Sequence, residues 1–189
     1  MPHSMGSAGR HPPITRHLRL APNRAILVDL VRFGFSGRPE DFGYALSDHA
    51  GVVARLLDHL GPRGCHVVGH GLGGSIAIVL AAARSDLVAG LVAIEPNLDP
   101  KDATLSRTNP DQPEEDYLAM GHAALIAQAE GCAAGDPGIA SYPGTPRAAD
   151  PRAGHRCATA LVTVSLRETF FGLTIPRTSV FGALTLPHP

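Results

Sequence analysis

Short, continuously apolar runs alternate with amphipathic stretches between Ala25 and Pro100. The run AILVDL, beginning at Ala25, is apolar up to Asp29 and predicts a buried strand. The segment FGFSGRPEDFG that follows is rich in glycine and predicts a loop. In LSDHAGVVARLLDHLG the residues Val53, Leu56, Leu57 and Leu60 share one helical face. Ser47 fits an N-cap there, Gly61 the position just past the helix, and Pro62 prevents continuation. CHVVG predicts a second strand and GHGLGG a tight turn. SIAIVLAAARSD predicts a helix that is apolar on too many sides for the surface, and GLVAIEP a third strand. Alternation of this kind, with strands apolar throughout, predicts an α/β fold whose mainly parallel sheet is covered on both faces.

The character changes after Pro100. Residues 101–112 are polar and loop-like, and PEEDYLAMGHAALIAQAE predicts a helix with Pro113 near its first position and acids in its first turn. GDPGIASYPGTPRAADPRAG, rich in Pro and Gly, predicts a loop. ATALVTVSLRETFF has Val162, Leu166 and Phe170 at four-residue spacing, which suits a helix, although its β-branched residues also suit a strand. IPRTSVFGALTLP predicts a closing strand. Four segments follow: an irregular leader over 1–22, a core over 23–100, a helical cap over 101–172, and a returning core strand over 173–189.

Composition narrows the functional classes. The 189 residues suit one domain, and 44% apolar with 17% charged residues suits a globular chain. A formal net charge of −1 and the absence of Trp argue against a nucleic-acid partner. The longest apolar run, Ile76–Ala83, is too short to span a bilayer, and the opening residues lack the apolar stretch of a signal peptide. Cys65, Cys132 and Cys157 are odd in number and widely spaced, which points to a reducing, cytoplasmic setting. The ten histidines are scattered without ligand spacing, so neither a metal nor a bound cofactor is expected.

The motif that carries chemistry is Gly69-His70-Gly71-Leu72-Gly73-Gly74, set between a predicted strand and a predicted helix. Together with VDLVRFGFSGRP upstream, LLDHLG, and LVAIEPNLDP downstream, it resembles the α/β-hydrolase fold family in order and spacing over residues 24–100. The resemblance implies a sheet of the α/β-hydrolase type with an inserted helical cap, and an activity that hydrolyses an ester or related bond through a Ser–His–acid triad. It places the nucleophile elbow at Gly71, with His70 before it and the oxyanion-stabilising N–H on Leu72. Its implied partner is a small apolar ligand or ester, on a chain that could also form a homo-oligomer.

The departures from that pattern are specific. Gly71 has no nucleophilic atom. The turn after the closing strand reads Gly182-Ala183-Leu184-Thr185 and lacks a carboxylate, and His188 lies too close to that strand to be the family's base. The family's third strand, which would separate AILVDL from CHVVG, is not visible, and no His-Gly oxyanion loop precedes AILVDL. Such a chain reads as a truncated, non-catalytic relative or as a ligand-binding module on the same fold.

A rival reading takes Gly69, Gly71 and Gly74 as G-x-G-x-x-G, with Glu95 at the end of the next strand as a ribose-binding acid. That would make the chain an NAD(P)-dependent oxidoreductase. Ser75 lies one turn past the elbow and reads as a residue lining the helix start. Ser36 reads as structural, and Glu95 and Asp99 as residues at the entrance to the cap.

Overall fold

The computed structural model describes His17 and residues 23–102, 111–135 and 144–182. The rest of the leader, the Ala183–Thr185 turn and His188 lie outside the described residues.

Helix α1 (Leu46–Leu60) buries Leu46, His49, Ala50, Ala54 and Leu57, a stripe at helical spacing. Leu57 lies on the expected face, whereas Val53 is only partly buried. The cap residue is Ala45 and not Ser47: the Ala45 N–H donates to Asp48 Oδ2 at 3.0 Å, which fixes the start of the helix two residues earlier. Gly61 ends it at φ 83°, its N–H bonded to the Leu57 carbonyl at 2.9 Å.

Strand β1 (Cys65–His70), helix α2 (Leu72–Ala83) and strand β2 (Val88–Ile94) follow as expected. Strand β3 (Arg177–Val180) closes the order β1–β2–β3, and both pairings are parallel. Helix α2 is buried through most of its length, with Ile76, Ile78 and Leu80 almost inaccessible. Burying a side chain of that size contributes roughly 1.5–3 kcal/mol. Leu91 and Ala93 face α2 and are buried. On the opposite face Val68, Val92 and Thr178 form one row across the three strands, and Ile94 pairs with Val180 in the next. Val68 and Val180 are 56% and 45% exposed.

The expected strand AILVDL does not form. Residues 24–30 form neither helix nor ladder among the described residues. A strand needs a neighbour to satisfy its backbone groups, and β1 is already an edge of the described sheet. The segment is used locally instead. Ser36 Oγ donates to the Asp29 carbonyl at 2.6 Å, and the Phe35 N–H donates to Asp29 Oδ2 at 3.0 Å. Ser36 is therefore structural.

Beyond a 3-10 turn at Pro100–Asp102, most of the described chain up to residue 172 is helical. Pro113 caps a helical stretch that runs through Glu114–Asp116, a π turn at Tyr117–Gly121, and α3 (His122–Gly135). After α4 (Gly144–Arg147), α5 (Pro151–Thr163) occupies part of the expected loop and part of the expected ATALVTVSLRETFF element. The reason is local: Asp150 Oδ1 accepts the N–H groups of Arg152 and Ala153, and Pro151 presets the first helical dihedral. A break at Val164–Leu166 separates α5 from α6 (Arg167–Gly172). Leu166 and Phe170 are buried in the core, so the four-residue spacing is realised in α6. Among the described residues no helix is long and apolar enough to cross a membrane.

Candidate active site

Strand β1 ends at His70 and helix α2 begins at Leu72, so Gly71 alone makes the turn between them. It does so at φ 53° and ψ −120°, a conformation that side chains disfavour. Its N–H donates to the Ile94 carbonyl at 2.8 Å and its carbonyl accepts from the Ser75 N–H at 3.0 Å. So sharp a turn folds the helix start onto the strand end. A Cβ on Gly69 would stand 2.3 Å from the Gly73 carbonyl oxygen, which explains the glycine at position 69. Leu72 opens α2, and its N–H is one of the four helix-start donors that have no intrahelical acceptor. The helix dipole favours negative charge at the same point. The turn therefore presents a backbone donor at the head of α2 and, at Gly71, no side-chain atom that could attack a carbonyl.

His70 and Glu95 meet beside the elbow. His70 Nε2 is 3.8 Å from Glu95 Oε2, and the two side chains are 28% and 15% exposed. Glu95 holds a positive φ of 47°, which is uncommon outside glycine. Its N–H donates to the Val180 carbonyl at 2.7 Å, and its Oε1 accepts the Gly182 N–H at 3.1 Å. Glu95 thus ties together the carboxyl ends of all three strands, the edge where open parallel sheets bind ligands.

The other residues singled out from sequence have structural partners. Ser75 is fully buried; its Oγ donates to the Asn97 carbonyl at 3.2 Å and accepts the Asn97 N–H at 3.1 Å. It clamps the first turn of α2 to the chain leaving β2. Asp99 accepts from Arg167 Nε at 2.7 Å and so anchors the start of α6. Of the groups in the dinucleotide reading, the Gly71 N–H donates to the Ile94 carbonyl and Glu95 Oε1 accepts the Gly182 N–H. Among the described residues no three His, Cys, Asp or Glu side chains are grouped to hold a metal ion.

A second cluster was not legible in the sequence. Arg32 Nη2 donates to Asp150 Oδ2 at 2.8 Å, Phe33 and Ala149 form an antiparallel bridge, and the Gly34 N–H donates to the Ala148 carbonyl at 2.9 Å. These contacts fasten the loop after residues 24–30 to the start of α5. Burial alone would raise the Asp150 carboxyl, but the Arg32 hydrogen bond and the helix-start N–H groups outweigh it and hold it below its ordinary value. Nearby, His49 Nε2 and Cys157 Sγ lie 3.3 Å apart, both buried. Burial pushes His49 down to about 4 and Cys157 up to about 12, so both are neutral near pH 7. The Asp150-Pro151 pair, a helix cap followed by a first-turn proline, was the one signal that could have located this cluster.

The family described as the alpha/beta hydrolase fold matches residues 11–123, more than half of the chain. Haloalkane dehalogenase 2 of Mycobacterium tuberculosis is 39% identical over 69 residues, 36% of this chain and 24% of that protein. Lipase LipV of the same species is 43% identical over 83 residues, 44% of this chain and 30% of the lipase. The matched segments thus span 24% and 30% of these two curated relatives. Among solved structures, an esterase from Exiguobacterium antarcticum superposes with a TM-score of 0.72 at 15% identity, covering 92% of this chain and 68% of the esterase. A hydrolase from Pseudomonas aeruginosa does so with a TM-score of 0.71 at 19% identity, covering 95% and 68%. At those identities the likeness is one of fold.

Proposed function

Because the chain belongs to the alpha/beta hydrolase fold family, we propose that it is a relative of ester-cleaving hydrolases whose elbow has lost the covalent step. One observation carries this reading: Gly71 alone forms the strand-to-helix turn and has no side chain to attack a carbonyl. In the family reaction a hydroxyl oxygen at that position adds to the carbonyl carbon, and an acyl-enzyme forms as the alcohol leaves. Here that bond has no donor atom. What remains is the Leu72 N–H at the head of α2, at the carboxyl edge of the sheet. The corresponding activity is the binding of a small apolar carbonyl compound or ester, its oxygen toward Leu72, without turnover.

The test combines p-nitrophenyl butyrate turnover, labelling by a fluorophosphonate followed by intact mass, and calorimetric titration with short-chain esters. No burst, no mass adduct and measurable affinity are expected. Ester turnover well above background that is abolished by a substitution away from position 71 would overturn the proposal.

A further inference from the structure

The described sheet has two edges, β1 and β3. An edge strand offers its outward backbone groups to any strand that can pair with them, unless its sequence guards against it. The β3 edge is guarded. It is four residues long, Pro176 precedes it, and Arg177 opens it, with the guanidinium donating to the Leu173 and Phe171 carbonyls at 2.7 and 2.6 Å. The β1 edge lacks these devices: Cys65–His70 runs for six residues without Pro, Lys, Arg, Asp or Glu.

Two bonds fix which way the β1 backbone points. The Cys65 N–H donates to the Leu87 carbonyl at 2.7 Å and the Gly71 N–H to the Ile94 carbonyl at 2.8 Å, both toward β2. Amide direction alternates along a strand, so Val67 and Gly69 also turn toward β2, whereas His66 and Val68 turn to the open edge. Side chains alternate as well. Val67 packs against the core, and Val68, 56% exposed in mid-strand, stands on the sheet face opposite α2. An edge of this kind is complementary to itself. Antiparallel pairing about a twofold axis beside Val68 sets outward groups against outward groups and Val68 against its symmetry mate. No Lys, Arg, Asp or Glu within the strand meets a like charge across that seam, and a formal net charge of −1 leaves two molecules little mutual repulsion. We propose that two copies of this chain associate through β1, joining their sheets into one continuous sheet with Val68 at the axis.

Light scattering and sedimentation equilibrium of the full chain test this. A single strand pair is a small interface, so the dissociation constant is expected at roughly 10–100 µM. Across that range the mass should rise from one chain to two and stop there, because a twofold contact closes on itself. Amide exchange provides a register-specific readout. Val67 and Gly69 should be protected at every concentration, whereas His66 and Val68 should slow several-fold as the dimer forms. Val68→Lys sets two ammonium groups face to face at the axis and should keep the mass of one chain, with an unchanged melting curve in dilute solution. A one-chain mass throughout, growth beyond two chains, or a Val68→Lys protein that still dimerises overturns the proposal. So does a dimer of the unsubstituted chain in which the His66 and Val68 amides exchange alike at all concentrations.

Discussion

Arg32 Nη2 and Asp150 Oδ2 meet at 2.8 Å across 118 residues of chain, and each side chain is only 14% exposed. The same carboxylate caps α5 through its second oxygen. Asp150→Ala removes both functions and strands a partly buried guanidinium. The expected loss is about 3 kcal/mol, combining a helix cap with a broken ion pair. Asp150→Asn keeps a cap acceptor and is expected to lose markedly less. Urea unfolding of the three proteins reads the difference.

Gly69 and Gly73 make an asymmetric pair. A methyl at 69 meets the backbone of Gly73, whereas a methyl at 73 meets nothing within 4 Å. Gly69→Ala is expected to destabilise by about 3 kcal/mol, since backbone must shift. Gly73→Ala, inside α2, is expected to be neutral or stabilising by up to ~1 kcal/mol. Equal effects from the two would show that strand and helix are not in contact at this turn.

At Gly71 the positive φ makes any side chain costly, by about 1–3 kcal/mol. Gly71→Ala and Gly71→Ser should therefore lose similar stability. The serine variant is also expected to stay at background in ester turnover, because a hydroxyl needs a base to activate it. A burst of nitrophenol from the serine variant would reveal a competent base beside the elbow.

The pH dependence should divide into two windows. Burial lowers His49 in the fold to about 4, from an ordinary value of 6.5. A depressed value means that the full stability is present above pH 6.5 and is lost as pH falls through 4, by roughly 3 kcal/mol in all. Asp150 and Glu114 are also held below their ordinary values of 3.8 and 4.5, so their contributions are present above those values and are lost as pH falls below them. His49→Phe should flatten the first window and leave the second. Unfolding free energies at pH 7, 5.5 and 4.5 provide the measurement.

The elements legible in the sequence are those whose partners are close along the chain. Cys65–His70, Leu72–Ala83 and Val88–Ile94 form one β–α–β unit whose apolar runs and glycine turn carry their own geometry. AILVDL has the composition of a strand, but a ladder is a property of two segments, and its neighbour was never in view. Ser47 has the chemistry of a cap, yet Asp48 reaching back to Ala45 decides the start. The turn at Gly71 between strand and helix was readable because it is local. Glu95 was readable as an acid at a strand end, but its bond to Gly182, 87 residues on, was not. The Arg32–Asp150 contact depends on tertiary placement alone.

Val68 and Val180 leave apolar surface on the sheet face opposite α2. In a crowded cell such a surface competes for holdase chaperones whenever it is uncovered. Val68→Thr and Val180→Thr should raise soluble yield without changing the melting curve.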